Sequence, residues 1–262
     1  MQTTEPQLNN ARDMRQWLLS HYSRNIAKRT LTQFNACCNW AVFEDLLPWN
    51  PFTGLTRYLS QRRELADTFV AFTPAERAII IAEFTQSHPR HAPWVVFLFL
   101  TGCRPEEAAA LRWHHVSLDF GELAIKEAQP QDTGILQSTK NYRSTRFPVN
   151  AQLRPFLLEL WERSTKDRHD FIFKSPKPGH NAPFNYNYFQ QHYWKPLLER
   201  LVDEGRVAFY ATQYNCRHTF ISELVRKRDP KDVSYLCRVS VGTLMRVYCD
   251  RSREIDVPVL DS

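Results

Sequence analysis

The stretch "TGCRPEEAAALRW" (101–113) sets an arginine before a proline and two glutamates at the mouth of a predicted helix. Arg104 falls at the N-cap and Pro105 at the first helical position, where backbone N–H groups have no partner within the helix. Those N–H groups and a guanidinium together form a phosphate-sized anion site. A plainer reading pairs Arg104 with Glu106 or Glu107, a common arrangement in helix first turns, and Arg104 taken alone favours it.

Other stretches carry groups suited to the same anion. "QSTKNYRSTRFPVN" (137–150) holds Lys140, Arg143 and Arg146 and no acidic residue, which on a hairpin makes a basic edge able to touch backbone phosphates. A solvated positive face guarding an edge strand would look the same. In "YATQYNCRHTFISELV" (210–225), Tyr214 and Arg217 are three apart and so share one face of a predicted helix. His218 is turned about 100° from Arg217 on a helical wheel, and the expectation for it is packing or a local hydrogen bond. Tyr248 closes the helix predicted in "VSVGTLMRVYCD" (239–250), where an aromatic residue is commonly core.

The elements that must position these groups follow from hydrophobic period and capping signals. Residues 11–47 read as helices, with Met14, Trp17, Leu18 and Tyr22, then Leu31, Phe34, Cys38, Trp40 and Val42, at helical spacing. "PWNPF" (48–52) breaks them with prolines. Residues 53–72 lack a clean period, contain Arg57, Arg62 and Arg63, and read as a linker. Thr73, Pro74 and Glu76 form a capping-box start for a larger domain. Within it, helices are predicted at 75–86, 92–101, 105–113, 153–163, 185–203, 212–227, 231–237 and 241–249, with short strands at 122–127, 134–139 and 144–149. The fold class is therefore mostly α with a small antiparallel β-sheet. The domains are 1–52 (helical), 53–72 (linker) and 73–262 (mixed α/β with a C-terminal tail).

Composition narrows the function classes. Hydrophobic residues make up 43% and aromatics 13% of the 262 residues, enough for a substantial core. The formal charge of +6 suits a polyanionic partner without demanding one. The six cysteines, Cys37, Cys38, Cys103, Cys216, Cys237 and Cys249, show no C-x-x-C spacing, and reduced thiols are expected rather than disulfides or zinc ligands. The longest apolar run, "PWVVFLFL" (93–100), is too short to cross a bilayer. The N-terminus "MQTTEPQLNN" has no apolar signal region, so a soluble cytoplasmic protein is expected.

In their order and spacing, "RPEE" from Arg104, "TKN" around Lys140, Arg146, "YNCRHT" from Tyr214 through Arg217, and Tyr248 resemble the tyrosine recombinase (phage integrase) family over roughly 68–250. That family's signatures are T-G-x-R-x-x-E, a T-K hairpin, H-x-x-R-H-T and a final tyrosine. Residues 11–60, ending in "NPF", are similar to the later part of its helical core-binding domain.

The resemblance implies that Arg104 and Arg217 hold the scissile DNA phosphate. By the same resemblance Lys140 would protonate the leaving 5′ oxygen, and Tyr248 would attack phosphorus to form a 3′-phosphotyrosyl bond. It further implies double-stranded DNA as partner, four protomers on two sites, a nucleoid-associated location, and no metal or nucleotide cofactor. Contacts to DNA fall to Arg57, Arg62, Arg63, Arg143 and Arg146, and the tail 250–262 packs on a neighbouring protomer or on its own chain.

This chemistry suits the residue types, because two fixed guanidiniums stabilise the charge that accumulates on a five-coordinate phosphorus. Two positions depart from the family pattern. Tyr214 stands where histidine is usual, a feature shared with cyanobacterial element-excision recombinases, and Val239 stands where histidine or tryptophan is usual. The alternatives are a DNA-binding relative with a decayed site, a type IB topoisomerase and a plain helical scaffold.

Overall fold

The structure is a computed structural model that describes residues 10–57, 59, 70–130, 137–138, 145–175 and 181–249. Its contacts divide the chain into two compact units, 1–67 and 68–262.

In the first unit, α1 (Ala11–His21) and α2 (Arg24–Phe43) follow one another closely, and the Ser23 hydroxyl caps α2 by accepting from the Ile26 N–H. Ala11, Leu18, Ala27, Leu31, Cys38, Phe52 and Leu59 form the small core. The helical spacing is borne out, but Trp17, Phe34 and Trp40 are exposed rather than core. Two helices and a turn offer cover on one side only, so part of each apolar stripe stays open. Asn50 ties the closing turn to α2 through Asn35 and Asn39.

The second unit begins with α3 (Pro74–Ser87), whose capping box is present as read: Thr73 accepts from the Glu76 N–H, and Glu76 accepts from the Thr73 N–H. Next comes α4 (Ala92–Thr101), the apolar run 93–100. Seven of its ten residues are buried, and it is the central helix of the larger core. Gly102 ends α4 in the left-handed region (φ 59°) and turns the chain into α5 (Pro105–Ala110).

The predicted helix 105–113 stops three residues early. Leu111 accepts from the Ile172 N–H, and Trp113 donates to the Asp170 carbonyl, so pairing with 170–172 draws the backbone into an extended path. The strand read at 122–127 divides into β1 (Glu122–Ile125) and β2 (Glu127–Ala128). They pair antiparallel with β4 (Thr145–Pro148) and β3 (Gln137–Ser138) respectively. Leu123, Ile125, Thr145 and Phe147 point inward, following the two-residue period of a half-buried sheet.

After α6 (Leu153–Glu162), the predicted helix 185–203 is three pieces: α7 (Tyr186–Phe189), a π-helical turn at Gln190–Trp194, and α8 (Lys195–Asp203). Pro196 has no N–H to continue an α-helical ladder, and the wider turn precedes it. Then come α9 (Asn215–Val225), α10 (Pro230–Cys237) and α11 (Val241–Val247). α9 starts later than read because Ala211 and Gln213 are tied to other elements instead of continuing the helix. Ala211 accepts from Trp194, while the Gln213 side chain accepts from Trp94 and donates to the Tyr186 carbonyl. This fixes the start of α9, which packs on α4 and α10.

Gly102 is the tightest point in this arrangement. A Cβ there would collide with the Phe220 ring of α9, and the backbone already adopts a conformation costly to other residues. Gly102→Ala should destabilise the protein by about 2 kcal/mol or more, read as a lowered denaturation midpoint.

Candidate active site

The turn between α4 and α5, the first turn of α9 and the end of α10 meet at one buried carboxylate. Glu107, on the first turn of α5, accepts from the Arg104 backbone N–H at 2.9 Å and from Arg104 Nη1 at 2.6 Å. It also accepts from Arg238 Nε at 3.1 Å and Nη2 at 2.8 Å. Burial alone would raise its pKa. The guanidiniums of Arg238, Arg104 and Arg217 outweigh that and hold it at about 2.

The same arginines cap the C-terminal end of α10. Three successive carbonyls there are each taken by a guanidinium: Leu236 by Arg238 Nη1 (2.9 Å), Cys237 by Arg217 Nη2, and Arg238 by Arg104 Nη2 (3.2 Å). Orphan carbonyls at the negative end of a helix dipole are natural partners for fixed positive charge. Arg217 also donates to the Gly102 carbonyl at 2.8 Å and is 2% exposed, so its position is set by both flanking turns. Burial pushes its pKa down, and Arg104 adds like-charge repulsion against the pull of Glu107. Arg238 takes the left-handed conformation (φ 52°) and turns its side chain inward.

This cluster forms the floor of a cleft of about 670 Å³ lined by Arg104, Tyr214, Arg217, His218, Val239 and Tyr248, among others. Tyr248 ends α11, and its hydroxyl is 2.5 Å from His218 Nδ1. Burial raises the phenol to about 12, although Arg217 and Arg104 favour the phenolate. His218 is lowered to about 4 by burial and by Arg217 beside it, which leaves the ring neutral near pH 7.

The sequence-predicted residues divide clearly. Arg104, Arg217, Tyr214, Val239 and Tyr248 line one cleft, although they come from three separate stretches. Arg104 makes the Glu107 pair of the plainer reading and still reaches the cleft, so the two readings are compatible. Tyr214 is the N-cap of α9 rather than a residue within a helix face, and its ring stands edge-on to His218 at 5.1 Å. Val239 packs against the Ile221, Val233, Cys237 and Leu244 cluster. Arg146 is exposed on β4, with Nε 3.8 Å from Glu122. Arg57 is exposed in the first unit. Lys140, Arg143, Arg62 and Arg63 lie outside the described residues, as does the tail from 250.

Two contributors to the cleft were missed by the sequence reading, and a third was read only in part. His218 sits beside Arg217 and was expected only to pack or hydrogen-bond locally. Glu107 was read as a possible partner of Arg104 alone, although its place three residues after the N-cap marks it as a capping residue. Nothing in the sequence marks Arg238, a non-glycine residue at a left-handed helix end. Among the described residues, no group of His, Cys, Asp or Glu is placed to hold a metal ion.

The profile of the phage integrase family matches residues 73–252. An integrase of the Tn1549 transposon, solved with circular intermediate DNA, superposes with a TM-score of 0.71 at 16% identity, over 92% of this chain and 81% of that one. A lambda integrase dimer bound to a COC′ core site gives 0.64 at 13% identity, over 98% and 85%. The XerA recombinase gives 0.51 at 16% identity, over 94% and 81%. A sequence search among curated proteins finds no match.

Because the Glu107 carboxyl is held far below its usual 4.5, its contribution to stability is complete above that pH and is lost as pH falls toward about 2. Acid titration of the folded protein should show this loss. Glu107→Gln should flatten the profile in that window and cost about 3 kcal/mol at neutral pH, since Arg238 is left buried without a counter-charge.

Proposed function

Because the chain belongs to the phage integrase family of tyrosine site-specific recombinases, we propose that it cleaves and rejoins duplex DNA through a 3′-phosphotyrosyl intermediate at this cleft. The observation that carries the proposal is the convergence of Arg104, Arg217 and the Tyr248 hydroxyl on one solvent-open space. Glu107 supplies one negative charge against the positive charges of Arg104, Arg217 and Arg238, so the cluster keeps an excess of positive charge for an anion.

The scissile phosphodiester lies against Arg104 and Arg217, which stabilise its non-bridging oxygens as the fifth bond forms. Tyr248 Oη attacks phosphorus, and Lys140 protonates the departing 5′ oxygen. The phosphotyrosyl bond preserves the energy of the phosphodiester, so rejoining needs no nucleotide. The Tyr214 phenol, lying beside Arg104, donates a further hydrogen bond to the developing charge. Duplex DNA as partner is supported by the similar Tn1549 and lambda integrases, both solved with DNA.

We divide the chain into a catalytic domain at 73–262, a helical DNA-binding domain at 1–52 and a linker at 53–72. Arg57, Arg62, Arg63, Arg143 and Arg146 contact DNA, four protomers act on two sites, and the protein works in the cytoplasm at the nucleoid. One observation favours a second reading, a DNA-binding relative without turnover. Val239 packs into an apolar cluster where the family carries a hydrogen-bonding side chain.

A pool of nicked suicide duplexes of random sequence decides between them, with protein–DNA adducts recovered under denaturing conditions. The wild-type chain should trap duplexes covalently, in excess chelator as well as without it, because guanidiniums supply the charge stabilisation. Tyr248→Phe should bind the recovered duplexes with unchanged affinity and trap none. Binding without adducts would favour the second reading, and loss of cleavage in chelator, restored by Mg²⁺, would indicate a nuclease-type mechanism.

On a recovered duplex, Tyr214→Phe should slow single-turnover cleavage by roughly 10²-fold with little change in affinity. Tyr214→His should retain more activity than Tyr214→Phe. Equal rates for wild type and the Phe variant would make Tyr214 a packing residue.

A further inference from the structure

Attack by Tyr248 requires its phenol to lose a proton, and burial makes that harder than in water. The positions where the family carries histidine offer no strong acceptor here: Tyr214 is itself a phenol and Val239 is apolar. Glu107 is close to the arginines, but its carboxylate is engaged by Arg104 and Arg238 and is too weak a base to compete. Among the described residues a neutral nitrogen does lie against the nucleophile, and it belongs to His218.

We infer that His218 is the general base for Tyr248, accepting the phenol proton on Nδ1 as the Oη–P bond forms. The inference rests on the recombinase reading of the cleft. The geometry is direct, since the acceptor and the attacking oxygen are 2.5 Å apart, within hydrogen-bonding reach. The ring is also held in place: His218 is 8% exposed on α9, one residue beyond Arg217, with the Tyr214 ring edge-on to it.

The step balances. The Tyr248 O–H bond breaks, its proton passes to His218 Nδ1, and its electron pair forms the Oη–P bond. The P–O5′ bond breaks with its electron pair on O5′, which takes a proton from Lys140. Rejoining reverses each transfer: the 5′ hydroxyl returns its proton to Lys140, and the imidazolium returns its own to Tyr248.

Arg217 disfavours the imidazolium. A phosphodiester bound to Arg217 brings a compensating negative charge, so the base strengthens when substrate is in place. Premature ionisation of the nucleophile is thereby disfavoured without DNA.

Two measurements test the inference. The first uses ¹⁵N-histidine NMR of the full chain without DNA near neutral pH. Nδ1 of His218 should be unprotonated and accepting, and its signal should move in Tyr248→Phe. A proton resident on Nδ1 would mean that the ring donates to the tyrosine, which overturns the inference.

The second compares single-turnover cleavage of a duplex recovered from the random pool by wild type, His218→Ala and His218→Asn. Each is made with tyrosine or with a fluorinated tyrosine of lower phenol pKa in place of Tyr248. With tyrosine, His218→Ala and His218→Asn should slow cleavage by about 10²- to 10⁴-fold at unchanged DNA affinity. The fluorinated nucleophile should recover most of that loss, because it no longer depends on a base. An equal penalty with both nucleophiles would make His218 a packing residue and sink the inference. If wild type traps no duplex at all, the recombinase reading itself falls, while the NMR result still decides whether His218 accepts from Tyr248.

Discussion

A single carboxylate organises the second unit around its cleft. Glu107 is 2% exposed and holds two guanidiniums by direct hydrogen bonds, with a third close enough to influence its charge. Three arginines brought this close repel one another, and burial deprives them of the water that would screen the repulsion. With Glu107 ionised the cluster tolerates that proximity and still keeps excess positive charge. The site is therefore poised for one more anion, and a phosphodiester carries the charge it lacks.

The arginines also act as structural ties. The end of α10 offers three successive carbonyls, and Arg238, Arg217 and Arg104 each take one. Arg217 reaches from α9 and Arg104 from the α4–α5 turn, so two further elements are registered against one helix end. α11 follows α10 directly and packs on it, carrying Tyr248 to the same cleft. The residues proposed to bind the phosphate thus also locate the helix that bears the nucleophile.

Much of this was legible in the sequence, for identifiable reasons. Thr73, Pro74 and Glu76 announce a helix start through local chemistry alone, and the α4 run is apolar enough to have only one stable environment. Arg104, Arg217 and Tyr248 could be grouped because their motifs lie in a recognisable order. What was not legible depended on tertiary partners. The helix 105–113 is cut short by pairing with 170–172, a contact that no local period encodes. Trp17 and Trp40 lie on the helical stripe but are exposed, because the spacing of a stripe does not say what covers it. His218 was expected to pack or to hydrogen-bond locally, and its contact with Tyr248 instead joins α9 to the end of α11. Arg238 gave no sign, since a left-handed helix end is usually marked by glycine.

The central claim is that the arginine-lined cleft presents a phosphodiester to Tyr248. It is tested most directly by locating the covalent bond. The trapped protein–DNA adduct would be digested with trypsin and nuclease and its peptides sequenced by mass spectrometry. A nucleotide attached through a 3′-phosphate to Tyr248, on the peptide following Arg246, is the predicted result. A nucleotide on any other residue would contradict the account.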